Sequence, residues 1–313
     1  MRRLHASGGR SWLLPALLTA LLVGLAGCGQ ATTSHPASPA GSPTPAPEFR
    51  ALVVTPVNTP GVQSHNAASV YDSRTGLAQP IQANLSSLDA QFAPGDRISF
   101  SGPGQIISQE PGGGSVRIEA DVSPLLVSAF AWSRSGALAY LAGATPDLGV
   151  NSELVIRTPS GATARVELPP VVSIASYVNL PKLQFSPDGK MLLLVDSFLG
   201  FKPGAGADQT SVQVRGLDGK LLYGAPAKSS ANLPFAATWG TDGRLYFWDG
   251  SGVSVADPAR GTTSSILPGV AWYNPDTSPD GRYIVFERRD QSLPRLQLLD
   301  TRTGKLVSGF ERG

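Results

Sequence analysis

The stretch Thr277-Ser278-Pro279-Asp280-Gly281-Arg282-Tyr283-Ile284-Val285-Phe286 decides the fold. Its first half is turn chemistry. Proline presets φ, aspartate hydrogen-bonds its own backbone, and glycine takes the positive φ that closes the turn. Its second half is a short apolar run that reads as a strand. Together they predict an antiparallel hairpin, with a basic residue leading out on the solvent side. Four more copies lie upstream: Phe92-Ala93-Pro94-Gly95-Asp96, Trp132-Ser133-Arg134-Ser135-Gly136, Phe185-Ser186-Pro187-Asp188-Gly189 and Trp239-Gly240-Thr241-Asp242-Gly243. The five recur at intervals of 40, 53, 54 and 38 residues, and an apolar run follows each one.

A second pattern alternates with the first. It reads Leu299-Asp300-Thr301-Arg302-Thr303-Gly304 near the C-terminus and Val70-Tyr71-Asp72-Ser73-Arg74-Thr75-Gly76 near the start, with copies at 155–161, 214–219 and 255–261. Gln105 to Ile118 is a looser copy, with Gly112-Gly113-Gly114 at the bend. Each is a strand, a turn ending in glycine, and another strand. One unit therefore holds four strands in about 40–50 residues, the signature of a β-propeller blade. Residues 49–89 supply Ala51–Val54, Ala68–Tyr71 and a strand near Leu77 to Ile81, without the first turn. They read as one more blade, which pairing of N- and C-terminal strands could close. The count is six blades of four antiparallel strands, with five or seven also compatible. Two stacked β-sandwiches would use as many strands but not so regular a unit.

Residues 277–286 with Leu298 to Lys305 resemble one blade of the TolB-type, WD-repeat-like β-propeller family, and Phe185 to Val195 is a second good copy. The copies at 92 and 132 are degenerate, and Thr277 stands where the family prefers an aromatic. The resemblance covers roughly residues 90–313. It implies protein–protein contact in the cell envelope. TolB-like proteins carry a further N-terminal α/β domain and are not normally lipidated, so their particular partners do not transfer.

Composition agrees with this architecture. The 313 residues include 35 glycines and 27 prolines, about a fifth of the chain. Only 15% are charged, against roughly 25% in an ordinary soluble domain. Hydrophobic residues make up 41%, enough for a core. The net charge of +2 includes Arg2, Arg3 and Arg10; without the first 27 residues the chain is near neutral. No Lys/Arg run could track a phosphate backbone, so nucleic acid is excluded as a partner.

The N-terminus reads as a signal. The three arginines precede an apolar run over 12–27 that contains Pro15. That run is shorter than the roughly 20 residues of a spanning helix. Leu25-Ala26-Gly27-Cys28 then resembles a bacterial lipobox, and Cys28 is the chain's single cysteine. The resemblance implies a lipid on the Cys28 thiol and cleavage before it, anchoring the protein on the extracytoplasmic face of a membrane. Residues 28–48 form a Pro/Ser/Thr-rich tether. In extended polyproline form it reaches roughly 60 Å. The expected organisation is 1–27 signal peptide, 28–48 lipidated cysteine and tether, and 49–313 propeller.

Residues able to carry chemistry are few. His5, His35 and His65 are the only histidines, and His65 reads as a loop residue. No nucleophile elbow, histidine-rich metal set or phosphate loop occurs. The acids Asp72, Asp188, Asp242, Asp257, Asp280 and Asp300 repeat with the blades, so they serve turns rather than one asymmetric active site. Trp132 and Trp239 occupy equivalent positions and read as packing between blades. No catalytic residue, metal or cofactor is expected. The loop 196–210 breaks the spacing and places Phe198, Leu199 and Phe201 among glycines, which makes them candidate partner contacts. The function expected is a lipid-anchored binding or scaffolding module for an envelope or secreted protein. A wall-polysaccharide binder is the alternative, and a channel-sited hydrolase a third.

Overall fold

Each turn motif closes a hairpin, and the hairpins assemble into six antiparallel sheets. The computed structural model describes residues 50–57, 65–85, 90–102, 104–145, 150–168, 181–195, 209–227, 237–270, 272–278, 281–288 and 295–307. The first sheet contains β1 (Arg50–Val57), β2 (His65–Asp72) and β3 (Leu77–Leu85). The second contains β4 (Ala90–Ala93), β5 (Arg97–Gly102), β6 (Gln105–Gln109) and β7 (Val116–Asp121). The third contains β8 (Leu126–Trp132), β9 (Leu138–Thr145), β10 (Val150–Arg157) and β11 (Thr163–Glu167). The fourth contains β12 (Lys182–Phe185), β13 (Met191–Val195), β14 (Gln209–Gly216) and β15 (Leu221–Ala227). The fifth contains β16 (Ala237–Trp239), β17 (Leu245–Trp248), β18 (Gly252–Asp257) and β19 (Thr262–Pro268). The sixth contains β20 (Trp272–Thr277), β21 (Tyr283–Arg288), β22 (Arg295–Asp300) and β23 (Lys305–Leu306).

Every sheet is a meander in chain order, and the whole is the expected six-bladed β-propeller. Among the described residues the one helical element is a short 3-10 turn at Pro94–Asp96. The first sheet has three described strands. Its Asp72–Gly76 turn joins β2 to β3 as the Asp300–Gly304 turn joins β22 to β23, so these three match the outer strands of the other blades. His65 opens β2 opposite Val57, rather than lying on a loop as its glycine and proline neighbours suggested.

Burial follows from the stacking of blades. Leu192 and Leu194 of β13 pack into the cluster shared with the third blade, while Leu193 and Val195 pack into the one shared with the fifth. A middle strand is therefore apolar on both faces, and its sequence runs apolar instead of alternating. β17 repeats this, with Leu245 and Phe247 on one side and Tyr246 and Trp248 on the other. Each such leucine or phenylalanine contributes roughly 1.5–3 kcal/mol. The outer strand β19 is exposed from Thr262 to Ser265, and these short polar side chains suit a sheet edge. Trp272, unassigned by the repeat pattern, is buried in β20 with its ring edge-on to Phe286, centroids 5.4 Å apart.

The turns behave as their sequences require. In the fourth blade Ser186 Oγ accepts from Met191 N (2.9 Å), and Asp188 Oδ1 accepts from Ser186 Oγ (2.6 Å) and Lys190 N (3.1 Å). The Ser186 hydrogen bond holds the Asp188 carboxyl below its ordinary pKa. Neighbouring turns also nest. A Cβ on Gly136 would sit 3.6 Å from Pro94 Cγ, and one on Gly189 would sit 3.3 Å from Ser135 Oγ. In the third and fourth blades the turn glycine thus lies against the turn of the blade before it.

Candidate binding site at the propeller mouth

The inner strands of consecutive blades pack on one another, β4 on β8, β8 on β12, β12 on β16 and β16 on β20. Polar side chains stitch these strands. Gln91 Nε2 donates to the Phe130 carbonyl (2.6 Å). In the equivalent place two blades on, Gln184 Oε1 accepts from Thr238 Oγ1 (3.1 Å), and its carbonyl accepts from Trp239 Nε1 (3.1 Å). Thr277 Oγ1 donates to the Trp239 carbonyl (2.7 Å). Two residues before Gln184, Lys182 Nζ reaches the carbonyls of Ala237 (3.4 Å) and Pro275 (3.3 Å), so one amine joins three blades. Burial pushes the Lys182 pKa down, and the charge of Asp276 pulls back only in part.

The inner strands end in a depression of about 280 Å³, formed with the first turn residues of blades three to six. Trp132, Arg134, Gln184, Trp239 and Thr277 contribute to its wall, and among the described residues no carboxylate lines it. Most of the aromatic surface is spent on packing: Trp239 is 2% exposed and Phe185 8%. Two features depart from the repeat, both in the third blade. Its turn reads Ser133-Arg134-Ser135-Gly136, with arginine where the fourth blade has Pro187 and serine where it has Asp188. The Ser135 hydroxyl replaces the missing carboxylate by pairing with Ser133 Oγ at 3.0 Å, so the turn keeps its shape and loses its charge. Arg134 is exposed, with no hydrogen bond or ion pair to a described residue. The Trp132 indole nitrogen is buried without a partner, whereas its counterpart Trp239 donates to Gln184.

A second depression of about 220 Å³ lies between blades five and six, and Thr241 lines both. It carries Arg244, Arg282 and Arg302. Two of these are neutralised locally, Arg244 by Asp242 (3.0 Å) and Arg282 by Asp300 (3.6 Å). Burial, reinforced by Asp242, pushes the neighbouring Tyr246 phenol well above its ordinary pKa.

Of the residues singled out in the sequence, Cys28, Phe198, Leu199 and Phe201 lie outside the described residues. The repeated acids sit in turns: Asp72, Asp188, Asp242, Asp257 and Asp300 each accept a backbone N–H two residues on. Asp280 lies outside the described residues. Arg134 and Lys182 escaped the sequence reading. Aligning the five turns with one another would have exposed Arg134 as a cation beside a missing acid. Nothing local marks Lys182, because its partners are 55 and 93 residues away.

No family model and no curated protein matches the chain. Solved structures do match. A catalytically inactive virginiamycin B lyase from Staphylococcus aureus, solved with quinupristin, is 12% identical; the match covers 82% of this chain and 88% of that one, with TM-score 0.50. A protein from Bacteroides uniformis described as a 6-phosphogluconolactonase is 16% identical over 83% of this chain and 82% of its own, with TM-score 0.49. A eukaryotic initiation factor is 14% identical over 83% of this chain, with TM-score 0.48, and the chain spans 64% of its length. At such identities the likeness is one of fold, the β-propeller, and extends no further.

Proposed function

We propose that this protein is a lipid-anchored, extracytoplasmic β-propeller that binds a protein partner at the cell envelope, as a scaffold rather than as an enzyme. The lipobox at Leu25–Cys28 supports the anchor, and the proline-rich tether supports a domain held clear of the bilayer. The observation that carries the binding reading is the break in repeat symmetry at the mouth. Of the five similar turns, the one in the third blade has serine where the fourth has aspartate and presents an exposed Arg134, with no hydrogen bond or ion pair to a described residue. Such a departure gains nothing for the blade, which is how ligand sites differ from scaffold.

Two measurements test this reading. Cells fed labelled palmitate should label the wild-type protein and leave Cys28→Ser unlabelled; a labelled variant would refute the anchor. The full-length protein in detergent should retain a specific protein from solubilised envelope. Retention only by isolated wall sacculi would replace the protein-binding reading with polysaccharide binding.

A further inference from the structure

The mouth also indicates the chemistry of what it holds. We propose that it seats the carboxylate of an acidic side chain on the partner protein, with Arg134 as charge partner. This rests on the protein-binding reading above.

Charge sets the class of group. Among the described residues the wall contains one arginine and no acid, so it suits a single negative charge. A phosphate monoester would bring about one charge more than the wall can balance. The planar guanidinium fork fits the two oxygens of a carboxylate.

Size and competition narrow the choice further. About 280 Å³ lies below the range that encloses a drug-sized ligand and is enough for one side chain. The arginine-lined depression between blades five and six is a poorer site, since Asp242 and Asp300 already occupy two of its three cations.

The test uses full-length protein in detergent and two capped peptides, acetyl-Gly-Glu-Gly-amide and acetyl-Gly-Gln-Gly-amide, followed by tryptophan fluorescence. The glutamate peptide should bind at least about tenfold more tightly. Arg134→Ala should erase that preference and Arg134→Lys should keep part of it. Neither should move the unfolding midpoint, because the side chain is exposed and bonds to no described residue. Equal binding of the two peptides, or a preference that survives Arg134→Ala, would overturn the proposal. So would tighter binding of inorganic phosphate or glucuronate than of the glutamate peptide. Partner capture separates the two readings. If wild type captures a protein but shows no preference for glutamate, the carboxylate inference fails alone. If wild type captures no protein, the protein-binding reading fails with it.

Discussion

Asp249 shows how a single carboxylate can organise a bend outside the repeated turns. Its Oδ1 accepts from Ser251 N (2.8 Å), Ser251 Oγ (2.7 Å) and Gly252 N (3.0 Å), and its Oδ2 accepts from Ser254 Oγ (2.6 Å). Burial alone would raise its pKa. The hydrogen bonds from Ser254, Ser251 and the backbone outweigh burial and leave it below the ordinary 3.8. A carboxylate held in this way stabilises the fold above its unfolded-state pKa, and that contribution fades as pH falls through the lower folded value. Asp249→Asn should therefore cost about 1–2 kcal/mol in urea unfolding at neutral pH, and the gap should close on acidification. A gap that persisted below the folded pKa would show that the loss comes from packing, not ionisation.

At the scale of the element, the turn glycines divide into two kinds. Gly243 (φ +76°) has open space around a would-be Cβ, so alanine there meets only backbone strain. Gly281 (φ +64°) has the same strain, but its Cβ would collide with the Thr241 side chain of the preceding blade. Gly243→Ala should cost about 1–2 kcal/mol, and Gly281→Ala clearly more, as read by denaturant midpoints. Equal losses would mean that the turns do not nest as tightly as their geometry states. The first contribution is visible in the sequence, where glycine ends a Ser-Pro-Asp-Gly motif. The second is not, because the collision is between residues 40 positions apart on separate blades.

For the whole molecule, Lys182 is the most informative residue. Its amine bonds to carbonyls of the two following blades and is buried where charge is disfavoured, so its folded pKa lies below 10.5. Between the folded and unfolded values the unfolded chain binds the extra proton, and stability rises with pH. The penalty is fully present below the folded pKa and relieved as pH approaches 10.5. The difference in unfolding free energy between wild type and Lys182→Met should therefore shift in favour of wild type as pH rises through the folded pKa toward 10.5. A difference independent of pH would mean that the amine is solvated in the folded protein.

The sequence by itself determined the architecture, because every turn motif is contiguous and specifies its hairpin through its own prolines, acids and glycines. Repetition then pointed to six blades, with five or seven compatible, and the six sheets of the structure decided the count. The mouth was decided only by tertiary structure. Trp132, Gln184, Trp239 and Thr277 lie 38 to 55 residues apart in sequence, and only blade stacking brings them to one wall. The charge of Arg134 likewise becomes significant only beside described neighbours that carry no acid. Local chemistry can specify a turn, but the field and the hydrogen-bond balance of a shared cavity depend on every strand that borders it.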